Sequence, residues 1–169
     1  MKNFKKLHTT LLLSATLFLV AACNLVDLDE PGPTAPVDAP EGIPATEATF
    51  MSELAGDNSR VWKALTFELE GMSGFQFCRL DDTFTFFTDG TYRYDGGEVL
   101  CGGEDDQQVK TGIWELDFAN RQLIFDRGTS IAYISTVQGL ENNRIHLTGE
   151  VDIFGQLMDI EGIYETDPN

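Results

Sequence analysis

From residue 57 onward the chain repeats one pattern: a short run rich in β-branched and aromatic residues, apolar and polar positions alternating, then a break at Gly, Asp or Asn. Alternation with a period of two marks strands that bury one face. The runs are 61–70, 83–88, 91–94, 111–118, 123–126, 130–137, 144–151 and 157–165. In several the apolar side is plain. Gly112, Trp114, Leu116 and Phe118 share one face; Ile145, Leu147 and Gly149 oppose His146, Thr148 and Glu150; Met158, Ile160, Gly162 and Tyr164 share one side of the last run. Two runs are mixed. In the first, Trp62, Ala64, Thr66 and Glu68 oppose Val61, Lys63, Leu65, Phe67 and Leu69, and in 130–137 both faces are half apolar. Ahead of the strands, 46–54 predicts a short helical turn with Phe50, Met51 and Leu54 on one side and Gly56 as its stop, placed to cover one end of the strand assembly.

Eight runs with short links, and no helix long enough to cross between parallel strands, require antiparallel pairing. A meander of such strands closes into a barrel or stacks as a sandwich. Nearest-neighbour links favour the barrel, and closure removes exposed edges. The predicted fold is all-β, an eight-stranded antiparallel up-and-down barrel with a short N-terminal helical turn.

The stretch from Cys78 to Cys101 reads as a hairpin, because two of the runs flank Asp89-Gly90. A two-residue type I′ turn there needs positive φ at both positions, for which Asp-Gly is well suited. Partners across that hairpin have numbers summing to 179, Cys78 and Cys101 among them. The two would face each other about 5 Å apart at Cα, within disulfide reach; a bulge at Gly96-Gly97 would shift the register.

The first 22 residues have a basic head (Lys2, Lys5, Lys6), an apolar run over 11–20 and Ala21-Ala22 before Cys23. This is the layout of a secretory signal, and its run is too short to span a bilayer. Leu19-Val20-Ala21-Ala22-Cys23 resembles the bacterial lipobox, which implies cleavage before Cys23 and acylation of its sulfur and new amino terminus; the alternative is an ordinary signal peptide with an unrelated cysteine. Several acyl chains hold a protein stably on a membrane, at about 0.8 kcal/mol per buried methylene. Asn24 stands where an aspartate would resemble an inner-membrane retention signal, so the expected address is the outer membrane. An exported protein also permits a disulfide between the remaining pair, Cys78 and Cys101. Free thiols or a metal pair fit less well, since the cysteine spacing matches no zinc pattern.

Loss of the leader removes three of the 11 basic residues and none of the 28 acidic ones, leaving a formal charge of −20. Such a surface repels nucleic acid and anionic headgroups, so neither is expected as a partner of the folded domain. Residues 25–48 hold five of the six prolines among Asp, Glu, Ala and Gly and show no periodicity, as a tether does. The expected plan is a leader at 1–22, a lipidated cysteine and linker at 23–48, and a barrel at 49–169.

Leu54-Ala55-Gly56, Arg60-Val61-Trp62-Lys63, Cys78, Asp81-Asp82, Phe86, Asp89-Gly90-Thr91-Tyr92, Cys101 and Gly112-Ile113-Trp114, in that order and spacing, resemble the lipocalin-like domain of bacterial lipoproteins over about residues 52–166. The resemblance implies a small barrel, a first-strand tryptophan at its closed end and a cup for an apolar molecule. The chain departs from true lipocalins in lacking a glycine two before Trp62 and a helix after the barrel.

Candidate chemistry is sparse. Beyond the leader His146 is the only histidine, and its alternation with Ile145 and Leu147 points it outward. Asp81-Asp82 and Asp105-Asp106 lack the spacing of a calcium loop and read as solvated turns, with Asp82 available to bond turn amides. No catalytic residue, metal ligand or cofactor site is expected. Trp62, Phe84, Phe86, Tyr92, Trp114 and Tyr133 are the candidates to line a cavity, against the alternative that they fill it, since an eight-stranded barrel is just wide enough for either. The leading expectation is a lipid-anchored protein, not an enzyme, that binds a small apolar ligand; the other is an envelope module holding a protein or glycan through its acidic surface.

Overall fold

The computed structural model describes residues 37–100, 109–153 and 155–166, without the side chains of Phe75 and Ile153. A helix, α1 (Glu47–Ala55), precedes eight strands: β1 (Ser59–Leu69), β2 (Thr83–Phe87), β3 (Thr91–Asp95), β4 (Val109–Asp117), β5 (Gln122–Phe125), β6 (Tyr133–Glu141), β7 (Arg144–Ile153) and β8 (Gln156–Glu165). Each strand pairs antiparallel with the next and β8 pairs with β1, closing an up-and-down barrel. The alternating runs become strands because their β-branched and aromatic side chains fill a lumen on one face while the other stays polar.

In such a meander the connections after β1, β3, β5 and β7 share one end of the barrel, and α1 covers the other. Thr46 caps α1 by accepting the Thr49 N–H at 3.2 Å, and Gly56, at φ 64°, ends it. Its apolar side sinks Phe50 and Leu54 into the core, fully buried, a contribution of about 1.5–3 kcal/mol per side chain. The Trp62 indole donates to the Leu54 carbonyl at 2.8 Å, tying β1 to the helix.

A bulge explains the mixed first run, whereas 130–137 reads as mixed because polar Ser135 faces inward with Val137 and apolar Ile134 stands exposed on the outer face. The β1–β8 register shifts between Ala64 and Thr66, so the inward face passes from Trp62 and Ala64 to Phe67 and Leu69, opposite Gly162 and Ile160. A second shift between Val137 and Gly139 turns Leu140 inward and leaves Gly139 facing a strap of chain. There Leu140 N–H bonds to the Gly42 carbonyl at 2.7 Å, Glu141 Oε1 accepts from Gly42 N–H at 2.8 Å, and Arg144 donates to the Asp38 carbonyl. From Asp38 on, the stretch expected as linker therefore lies along β6.

The Asp89-Gly90 expectation is corrected. Observed partners are Thr83 with Asp95, Phe84 with Tyr94 and Phe86 with Tyr92, one residue off the predicted register. The link has three residues, Thr88-Asp89-Gly90, with Gly90 alone at positive φ, 84°. Asp89 instead accepts from the Thr91 N–H at 2.9 Å and hydroxyl at 2.6 Å, which fixes the wider turn. The two-residue turn with positive φ at both positions occurs at Asn142-Asn143. Cys78 lies not on β2 but at the end of a 3₁₀ turn, Ser73–Cys78, so strand register does not place it opposite Cys101.

Candidate functional site

Strand alternation turns all four tyrosines of the chain, Tyr92, Tyr94, Tyr133 and Tyr164, into the lumen with Phe84, Phe86 and Phe125. The rings touch across the barrel: Phe84 lies 5.0 Å from Tyr94, 6.1 Å from Phe125 and 6.1 Å from Tyr164, and Tyr133 stacks on Phe125 at 5.5 Å. Glycines make room for them. A Cβ on Gly149 would meet the Tyr133 ring, and one on Gly162 would meet the Tyr164 ring. The Tyr164 ring lies back over Gly162, carrying its hydroxyl away from the α1 end.

All six candidate aromatics face the lumen, but not in one environment. Trp62, Phe86 and Trp114 are at most 3 % exposed and belong to the closed end. The Trp114 indole donates to the Thr91 carbonyl at 2.9 Å, and Phe86 meets it edge-on at 5.5 Å. Tyr92 is buried and bonded. Phe84 and Tyr133 stay only half-buried although their rings face inward, as does Tyr164.

Three tyrosines have hydrogen-bond partners. Tyr92 donates to Asp126 Oδ2 at 2.7 Å, while Asp126 Oδ1 takes the Ile113 N–H at 3.0 Å. Tyr94 donates to Asp82 Oδ2 at 2.7 Å, and Arg79 reaches both, at 2.6 Å from the Tyr94 oxygen and 3.2 Å from the carboxylate. Tyr133 and Ser135 share a hydrogen bond of 2.7 Å. Burial pushes the phenols of Tyr92, Tyr133 and Tyr164 above their ordinary value, so they are neutral donors rather than bases. Burial also raises the Asp82 carboxyl, against the lowering effect of Tyr94 and Arg79. Its Oδ1 is buried without a hydrogen-bond partner.

Asp82 was expected to bond turn amides; that role falls to Asp81, whose Oδ2 accepts from Glu98 N–H at 2.7 Å and Val99 N–H at 3.1 Å. Tyr94, Tyr164, Asp126, Arg79 and Ser135 were not singled out from sequence. The tyrosines' inward parity was visible there; their partners were not, because the pairs form only when the barrel closes. His146 lies on the outer face, its Nε2 2.7 Å from Glu161. Cys78 is fully buried. Cys23, Cys101, Asp105 and Asp106 lie outside the described residues. No cluster of three or more metal-ligating side chains forms among the described residues.

Two surface depressions, of about 400 and 370 Å³, flank the β6–β7 turn and share Glu141, Asn142 and Asn143. Of the six candidate aromatics only Trp62 borders one of them. The end away from α1 has a different surface. Met72 and Phe77 after β1, Val99 and Leu100 after β3, Ile131 after β5 and Leu157 at the start of β8 are 41–71 % exposed. Protein-family models yield no match to the chain, and neither do curated proteins.

Proposed function

We propose that the chain is a non-catalytic, lipid-anchored lipoprotein of the bacterial envelope whose lipocalin-like barrel binds a small apolar molecule at the end away from α1. The observation that carries this reading is a set of inward aromatics that stay accessible. Trp62, Phe86 and Trp114 are sealed beside α1, while Phe84, Tyr133 and Tyr164 face the lumen yet remain partly exposed, and at the other end three connections and the start of β8 display apolar side chains. Partly accessible inward aromatics with a few placed polar groups are the make-up of a small-molecule site. The lipobox-like residues 19–23 support acyl anchorage through Cys23, and Asn24 favours the outer membrane. A Cys78–Cys101 bridge would staple the connection leaving β1 to the one leaving β3.

The test is native mass spectrometry of the mature protein isolated from its own host without denaturation. A bound small molecule is the expected result. A clean ligand-free mass, with a protein partner recovered instead, would favour the second reading, an envelope interaction module. The exposed apolar side chains on the connections after β1, β3 and β5 and at the start of β8 are the observation on its side.

A further inference from the structure

Of the four lumen tyrosines, three have hydrogen-bond partners, and Tyr164 has none among the described residues. Its hydroxyl lies over Gly162, opposite Phe67 on β1, and the Arg79 guanidinium sits 5.9 Å from the centre of the Phe67 ring. That guanidinium bonds Asp82, which is 4 % exposed and whose Oδ1 has no partner. The upper lumen thus holds one donor without an acceptor and one carboxylate oxygen without a donor. Leaving a buried acceptor unpaired is costly, and a group that completes it recovers the deficit.

We propose that the ligand is an amphiphile with a hydroxyl head, the head donating to Asp82 Oδ1 and accepting from the Tyr164 hydroxyl. A hydroxyl makes both bonds at once. An ionised carboxylate head offers no proton and sets a second negative charge beside Asp82, and Arg79 is already engaged by Asp82 and Tyr94. The rim carries both signs, Glu70, Asp81, Glu98 and Asp152 among its apolar side chains and Lys110 over the Tyr94 ring, so the discrimination is set at Asp82. The selectivity therefore runs against fatty acids and toward the alcohol of equal chain length.

This inference rests on the apolar-ligand reading, and one titration separates the two. Residues 24–169, which carry the whole barrel and its strap, are titrated calorimetrically with 1-decanol and with decanoate at neutral pH. The alcohol is expected to bind roughly tenfold or more tightly than the acid, the scale of one or two hydrogen bonds in a desolvated site. Tyr164→Phe, which removes only an unpartnered hydroxyl, is expected to weaken the alcohol several-fold and leave decanoate unchanged. Asp82→Asn should shrink the alcohol-to-acid ratio by roughly tenfold, because an amide offers a donor and carries no charge. Equal affinities for both ligands, with neither variant changing the ratio, overturn the hydroxyl-head inference and leave the apolar-ligand reading standing. Binding of neither ligand overturns both.

Discussion

The two ends of the barrel solve the same packing problem in opposite ways. At the α1 end, Phe50, Leu54, Trp62, Phe86 and Ile145 are at most 1 % exposed, and both indole N–H groups bond backbone carbonyls. At the other end the lumen is lined by phenols, a carboxyl and partly exposed rings, and the surrounding connections carry apolar side chains into solvent. Close packing with every polar group satisfied holds a fold together. An unpaired buried acceptor costs stability and an accessible aromatic wall adds little to it, and both are available for recognition. The aromatic content alone did not separate these roles.

The largest effect should come from the closed end. Trp62→Ala removes the ring that joins β1 to α1 and is expected to lower unfolding stability by about 3–5 kcal/mol in urea titrations. Phe77→Ser, on an exposed connection of the other end, should change it by less than about 0.5 kcal/mol. Comparable losses at both positions would erase the contrast.

A middle-sized effect is expected where the strap crosses β6. A Cβ on Gly139 would clash with the Pro40 carbonyl, so Gly139→Ala must displace the strap or the strand, at a cost of about 1–3 kcal/mol. Hydrogen exchange should show the Leu140 amide losing protection, since its acceptor is the Gly42 carbonyl. Retained protection would mean that the strap is not held by this contact.

Within the lumen the tyrosines sharpen the comparison. Tyr92→Phe strips a hydrogen bond from buried Asp126 and should cost about 1–2 kcal/mol, while Tyr164→Phe, which breaks no bond, should stay within about 0.5 kcal/mol in the ligand-free protein. The reverse order would put Tyr164 among the structural tyrosines.

The smallest effect is a pH dependence of opposite sign at the two ends. Burial raises the Asp82 pKa above 3.8, so the folded state keeps that proton to higher pH than the unfolded chain, and this group's contribution is lost as pH rises through the folded value. At the α1 end, hydrogen bonds from Thr91 to Asp89 and from Asn120 to Asp117 lower those carboxyls below 3.8. Their contribution is present above 3.8 and lost as pH falls through the folded values. Asp82→Asn is therefore expected to gain on the unaltered protein between pH ~3 and pH ~7 in urea midpoints; a constant gap would contradict a raised Asp82.

Much of the barrel was legible because alternation survives wherever a strand is regular, as in β4, β7 and β8, whose inward faces are the ones read from sequence. It failed at β1 because an extra residue reverses parity midway, and no side-chain pattern announces a bulge; it stayed ambiguous at 130–137 because polar Ser135 faces inward and apolar Ile134 outward. The turn at Asp89 was misread because its carboxylate, not positive φ at two positions, sets the geometry. The strap was read as linker because its attachment runs through backbone groups and Glu141, about a hundred residues away in sequence. The same distance problem hid the site. Tyr92 and Asp126 are 34 residues apart, and only closure through β4 and β5 brings them together.

The central claim is that ligand enters a lumen accessible from one end and sealed at the other. It is tested most directly by two-dimensional NMR of the protein saturated with 1-decanol. The chain has two tryptophans and four tyrosines, so indole N–H and ring signals report the two ends separately. The Tyr133 and Tyr164 ring signals are expected to shift while the Trp62 and Trp114 indole signals stay in place. Shifts at the indoles with unmoved tyrosines, or no shift anywhere at saturating ligand, would contradict it.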